Sequence, residues 1–572
     1  MPFINTLTRR DFIQRSLLGG AGLGLAALAN VPPFAARALA EGSIGLNGKK
    51  LLFVFLRGGN DGLGSLVPVQ DSAYSSAIRN PSINGGTLIA KDGGTDYSAT
   101  PGTADFPTSP GATATFNYAN AIRLGNGFAA LHPSLKFLAP VYNAGDLALL
   151  HRVGYPRQSR SHFDSQIYWE NGQPLNSVSK EGILYRTVIE SGLASTAPLT
   201  AVSIQSALPV LLRGSGAALT NLTDPLRYDL LGVPNSAATG DVKATNALLS
   251  AQSTPFPDKK SRNFLNLQYD GLLKTLSIFS SINFTEVGNT YVDDVNTDGG
   301  STPYYLFPTS QAKNGGYAAN ANSTAKYVVD QSSGTTSYFA GLKAAALILN
   351  HTDALIAGGE MGGFDTHDNQ GGATGLHANL QQRIGWTLYG LRKYFQIYGK
   401  NGSAPAAGAK CSWNDVVVVL FTEFGRTTIE NTSRGTDHAE AGVMFLAGGG
   451  VKGVGKSGRV TGVVGCHPGG TGAHPSDTNA PWIPGPANQA GGVDGSMFGI
   501  SDRYLKRSVD YRSVLGKVIR DHLGATQNQL NRIIPGYANE AQEHLLAGGT
   551  VTSPIESSGV STPIIGEPDV LV

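Results

Sequence analysis

Six consecutive apolar residues, LLFVFL (51–56), stop at Arg57 and Gly58-Gly59 and then deliver Asn60 and Asp61. An apolar run without polar alternation is buried on both faces, as in a strand inside a parallel sheet. The pattern recurs in LALL (147–150), TAVSIQ (200–205), ALIAGG (354–359), VVVVLF (416–421) and VMFLA (443–447). Helical spacing of apolar positions lies between them. It predicts helices in LHPSLKFLAPVY (131–142), towards the end of SRSHFDSQIYWENG (159–172), near 264–279, in SYFAGLKAAALILNHT (337–352), in LHANLQQRIGWTLYGLRKYFQIYG (376–399) and in VDYRSVLGKVIRDHLG (509–524). Strands alternating with helices predict an α/β fold with a largely parallel sheet.

Long polar stretches interrupt this alternation. Residues 72–127, about 234–337 and 465–500 are rich in Asn, Ser, Thr, Gly or Pro and read as loops or insertions. Residues 546–572 read as a flexible polar tail. Charged residues make up only 15% of the chain, below the roughly 25% of ordinary globular domains. Together with 74 glycines, this fits long polar loops on an ordinary core. One domain over 41–545 accommodates the pattern.

The N-terminus carries an address. Arg9 and Arg10 precede Asp11, Phe12, a weakly apolar Gly/Ala-rich run and Ala38-Leu39-Ala40. This is the form of a twin-arginine signal peptide over 1–40, with cleavage before Glu41. The expected partner during export is the twin-arginine translocase, and the expected location is periplasmic or secreted. The apolar run is too short for a membrane span, so no stable span is expected after cleavage. A net charge of +2 and the lack of a basic stripe with interleaved aromatics argue against nucleic acid as a partner. Cys411 and Cys466 are compatible with one disulfide or with two buried thiols.

The candidate chemistry clusters just beyond the strands. Asp61 follows the first, Ser161, His162 and Asp164 follow the second, and Asp365 and His367 lie in GGFDTHDNQ. Glu423 and Arg426 follow the fifth run, and Asp437 and His438 come a little later. In a parallel sheet these loops share one edge, and carboxylates with imidazoles there can hold zinc, manganese or calcium. Each element also has a plainer reading. Asp61, Asp365, His367 and Asp437 could cap helices, and Glu423 with Arg426 could be a buried ion pair. GVKGVGKS (450–457) fits the P-loop pattern, but the following GRVTGVVG does not read as a helix, which leaves a glycine-rich turn.

The motifs FLRGGNDG, SRSHFDSQIYWENG, GGFDTHDNQ, TEFGRT and GTDHAEAG together resemble the bacterial domain-of-unknown-function family numbered fifteen-oh-one. That family is grouped with the alkaline phosphatase and sulfatase superfamily. The resemblance implies a doubly wound, alkaline-phosphatase-like sheet with one or two divalent metal ions at the strand ends. Carried over by position, Asp61, Asp365, His367, Glu423 and His438 become ligands, with Asp437 beside them. Ser161 or His162 falls near the nucleophile position, and Arg160 or Arg426 would hold an anionic group. Two departures stand out: Phe424 replaces a ligand His, and His367 lies two rather than four residues after Asp365. The expected activity is metal-dependent hydrolysis of phosphate or sulfate esters, on small molecules or polysaccharide. The alternative is a non-catalytic exported binding protein on the same fold.

Overall fold

The structure, a computed structural model, describes residues 41–68, 121–224, 332–465 and 503–538 apart from short breaks. It also describes 545–546, 550–555, 561–572 and short pieces between 74 and 79 and between 275 and 309. The expected signal at 1–40, Cys466, the 465–500 loop beyond its first residue and most of the 72–127 and 234–337 stretches lie outside the described residues. Of the helix expected at 264–279, residues 275 and 278–279 are described and are helical.

The apolar runs form the strands of one mixed sheet. In chain order these are β1 (Lys50–Leu56), β2 (Leu147–Gly154), β3 (Ala201–Ile204), β4 (Thr220–Leu222), β5 (Ile356–Met361), β6 (Val416–Thr422), β7 (Gly442–Ala447), β8 (Val463–Val464), β9 (Val509–Asp510), β10 (Thr550–Ile555) and β11 (Ser561–Ile565). Their spatial order is β10-β11-β9-β2-β7-β6-β1-β5-β3-β4, with β8 paired to β2. Strand β1 lies between β5 and β6, parallel to both, with Phe53 opposite Gly358 and Val419. Strand β7 runs antiparallel to both β6 and β2. Two reversals restore the direction, so β2 points the same way as β6.

Both faces of the sheet are covered. Leu52, Val54, Leu56, Val418 and Leu420 pack into one core with the helices α1 (Leu138–Asn143), α4 (Ser333–His351) and α5 (Leu376–Ile397). Phe53, Phe55, Val417, Val419 and Phe421 pack into the other core with α2 (His162–Asn171), α3 (Ile183–Glu190), α6 (Tyr511–Lys517) and α7 (Gln527–Ile533). Alternate side chains of one strand thus enter opposite cores, and this explains the unbroken apolar runs. Among the described residues no helix is long and apolar enough to cross a membrane.

One expectation changes here. Residues 550–555 and 561–565 of the supposed loose tail pair with each other, and β11 joins the sheet through Val509 and Ile565. Val570 is buried, and Glu567 forms an ion pair with Arg520 at 2.7 Å. The paired strands and the buried Val570 hold the chain end down more firmly than its polar composition suggests. In the P-loop-like stretch, Lys456 donates to Asp146 at 2.7 Å and to the carbonyls of Gly449 and Val451. A short turn and β8 follow it instead of a helix. Cys411 is a buried thiol.

Four buried histidines make the fold acid-sensitive. Burial pushes His132 and His151 down to about 3, and His377 and His522 to about 4. The unfolded chain takes up these protons near pH 6.5, before the folded chain does. Stability is therefore present above pH 6.5 and lost as pH falls towards 4, at about 1.4 kcal/mol per pH unit for each histidine. Chelator-treated protein should melt progressively lower between pH 7 and pH 5. A flat melting temperature over that range would contradict this linkage.

Candidate metal centre

Strands β1, β2, β5 and β6 end on the same edge of the sheet, and the reversed β7 begins there. The loops after the first four, the last of which runs into β7, therefore meet. Their meeting is tight: a β-carbon on Gly58 (φ +117°) would lie 2.4 Å from the Asp365 amide nitrogen. Only glycine permits that approach.

Three histidines and one carboxylate converge here. His162 opens α2, and its Nε2 is 3.4 Å from Asp365 Oδ2. The Nε2 atoms of His367 and His438 are each 3.1 Å from Asp365 Oδ1 and 2.8 Å from each other. Single ligand atoms of His162, Asp365 and His438 all lie within 4.8 Å of one another.

The far side of each imidazole is tied down. His162 Nδ1 donates to Glu423 Oε1 at 2.8 Å, His367 Nδ1 to Asp437 Oδ1 at 3.1 Å, and His438 Nδ1 to the Arg160 carbonyl at 2.9 Å. A carbonyl can only accept, and so can an ionised carboxylate. Burial would raise the Glu423 and Asp437 carboxyls, yet hydrogen bonds from His162 to the one and from Asn431 to the other outweigh it and hold both below their usual values. With each Nδ1 carrying a proton, any of the three rings in its neutral form turns an Nε2 lone pair inward. Two such lone pairs 2.8 Å apart repel unless a cation stands between or beside them. A single proton could serve the His367–His438 pair. It would leave His162 Nε2, which is buried without a hydrogen-bond partner, unsatisfied.

The carboxylate at the focus is held ionised. Burial pushes the Asp365 carboxyl up, but contacts led by the hydrogen bond from Arg426 more than offset this and bring it to about 2. The hydrogen bond that His162 donates to Glu423 raises His162, whereas burial lowers His438. Three imidazoles and a carboxylate, each ring oriented by an outer acceptor, is a donor set suited to zinc or manganese. The residues fit a divalent ion.

The expected site residues divide into three groups. Asp365, His367 and His438 converge, joined by His162. Glu423 and Asp437 stand behind, orienting His162 and His367. Asp61 is elsewhere: it is fully buried and receives both Arg79 terminal nitrogens, at 2.5 and 3.1 Å, and Gln370 Nε2 at 2.7 Å. Burial raises its carboxyl, and the Arg79 guanidinium outweighs that and holds it far below the usual range. Its oxygens are occupied by a cation the protein supplies, which corrects its expected place among the ligands.

Arg426 is also corrected. It is buried and gives its nitrogens to Asp365 and to the carbonyls of Gly58, Gly59, Phe364 and Thr436. Its side chain is fully buried, out of reach of a substrate, so Arg426 fixes Asp365 in place. Arg160 is exposed, with its guanidinium carbon 3.9 Å from the centre of the Tyr504 ring. Ser161 caps α2 by accepting the Asp164 N–H at 3.5 Å. Sequence reasoning missed Arg79, Gln166, Asn431 and Tyr504. Arg79, Asn431 and Tyr504 lie in polar stretches without periodicity, whereas Gln166 lies on α2 and donates to Glu423 Oε1 at 3.1 Å.

Residues 404–480 match the family "Protein of unknown function (DUF1501)". This DUF1501 stretch contains β6, Glu423, Arg426, Asp437, His438 and β7, and so one side of the convergence. No curated protein and no solved structure matches the chain.

Proposed function

We propose that this chain is an exported, metal-dependent hydrolase of phosphate or sulfate esters on an alkaline-phosphatase-like fold. The observation that carries the reading is the inward convergence of three Nε2 atoms on Asp365 while every Nδ1 is tied to an acceptor. His162, Asp365, His367 and His438 would hold one zinc or manganese ion, and calcium would want more oxygen donors. When bound, the ion would supply Lewis-acid polarisation of the ester and stabilise charge on the departing oxygen.

The chain's own groups divide the remaining work. Arg160, stacked on Tyr504, would orient the anionic ester by paired hydrogen bonds. Ser161, immediately before His162, offers the hydroxyl that would attack, at a helix start whose dipole favours an anion. Glu423 and Asp437 keep the rings in one tautomer. Arg79 at Asp61 argues for one ion where the superfamily resemblance allows two. The same pairing favours a second reading, a binding protein that has kept the fold without catalysis.

The test is elemental analysis of protein purified without chelator, followed by assays with aryl phosphates and aryl sulfates. About one ion per chain is expected, with turnover lost on chelation and restored by zinc or manganese. Glu423→Gln should weaken the ion by roughly 10–100-fold, the usual cost of losing a carboxylate behind a ligand histidine. A folded protein that binds no ion and hydrolyses nothing would end the hydrolase reading. Ion binding without turnover would favour the second.

A further inference from the structure

A groove of about 460 Å³ lies between α4 and the carboxyl ends of β5 and β3. That volume is within the roughly 300–1,000 Å³ of small-molecule pockets. Its helical wall is made by small residues at helical spacing. Gly334, Ser337, Gly341 and Ala345 recur every three or four positions and so share one face of α4. The strand wall is equally bare. Ala357 and Met361 of β5 pack into the core that holds α4, so Gly359 between them faces the same way. A β-carbon on Gly359 would lie 2.6 Å from the Ile204 carbonyl oxygen, so β5 carries no side chain there.

The groove has an apolar floor and a polar rim. Val54, Leu342 and Met361 are buried beneath it, and the exposed Ser206 and Ser337 stand at its mouth. Its lining holds one acid and one base, Glu360 and Arg383, so its charge balances. Glu360 Oε2 is held by Arg57 Nε at 2.9 Å and Gln205 Nε2 at 3.4 Å, while Oε1 has no hydrogen-bond partner among the described residues. The hydroxyls of Ser206 and Ser337 also have none among the described residues. The groove reaches towards the metal centre. Gly362 lines it and stands three residues before Asp365, so their α-carbons are at most about 11 Å apart.

We propose that this groove holds an uncharged sugar unit and that this unit is the alcohol part of the ester presented to the centre. The second clause rests on the hydrolase reading, and the first does not. A sugar offers a C–H face to the buried floor and hydroxyl groups to Glu360 Oε1 and the two serines. A carboxylate oxygen accepts, and a serine hydroxyl both donates and accepts, which matches the two roles of a sugar hydroxyl. An alkyl chain would leave the polar rim unpaired. A peptide strand cannot add to Gly358 and Gly359, because both already pair with β1 and β3.

The experiment titrates the metal-loaded protein with neutral trisaccharides of glucose, mannose, galactose and N-acetylglucosamine, and with octanol as the apolar rival. At least one trisaccharide should bind with a Kd near or below about 1 mM. A β-carbon on Gly334 meets nothing within 4 Å, and any ordinary residue suits a helix better than glycine, so Gly334→Phe should fold. It should weaken sugar binding by about tenfold or more with ion content unchanged, and Ser337→Leu should weaken it by roughly 2–10-fold. With a sulfate or phosphate ester of the bound sugar, Gly334→Phe should raise KM by about tenfold and keep kcat, while a small aryl ester is turned over as before. No trisaccharide bound, binding unaltered in both variants, or octanol bound more tightly than every sugar would overturn the proposal and leave aryl ester hydrolysis standing. Sugar binding that Gly334→Phe abolishes, in a protein that cleaves no ester, would retain the groove and remove the hydrolase reading.

Discussion

Asp365→Ala should empty the metal centre. Asp365 is the one group approached by all three histidines, and it is held ionised by the buried Arg426. Without it, the imidazoles face one another with no anion to neutralise a divalent charge. The ion should be lost on gel filtration, and ester turnover should fall by at least about 10²–10³-fold. The fold should survive, because Asp365 is half-exposed and Arg426 keeps its carbonyl partners. Asp368→Ala, three residues further on and exposed, is the control and should retain the ion. If Asp365→Ala holds its ion as tightly as the parent, the convergence is not a metal site.

Arg79→Met should be among the most destabilising single changes in the described chain. It removes the bidentate partner of a fully buried carboxylate and leaves Asp61 with Gln370 alone. Breaking one side of a buried ion pair typically costs about 3–5 kcal/mol, because the remaining charge is stranded. Asp61→Asn combined with Arg79→Met should recover much of that loss, since no charge is then stranded. Denaturant titration measures both. The same variants separate two roles for Asp61. A ligand would release the ion when changed to Asn, whereas an internal ion pair would lose stability and keep the ion. A stability loss below about 1 kcal/mol, or ion loss in Asp61→Asn, would reverse this assignment.

Much of the sheet was legible because its strands are buried on both faces. Runs such as 51–56 and 416–421 can satisfy that demand in few other ways. The converging residues were legible for a related reason: a parallel sheet must gather its strand ends on one edge, so Asp365, His367 and Glu423 had to be neighbours. Roles were harder to read. GGNDG says that an acid follows β1, but only the fold shows that Arg79, from a polar stretch, arrives to neutralise it. Arg426 looked like an anion holder because it follows a strand end, yet five backbone and side-chain acceptors surround it. The paired strands near the C-terminus were missed because their Thr- and Ser-rich sequence carries little apolar alternation. His438 precedes its strand instead of following it, and its arrival depends on β7 being reversed, a property of pairing that no local pattern encodes.

That reversal also sets an order of assembly. The converging side chains are dispersed from His162 to His438, and the last of them reaches the edge only once β7 has been inserted between β6 and β2. A chain still emerging from the ribosome can display His162 and Asp365 but cannot close the coordination sphere. Capture of an ion by this set would thereby be deferred until the middle of the sheet is complete, so a loaded centre would report a finished fold. For a chain exported already folded, the coordination sphere would then be complete, and open to the ion supply of the compartment of synthesis, before export.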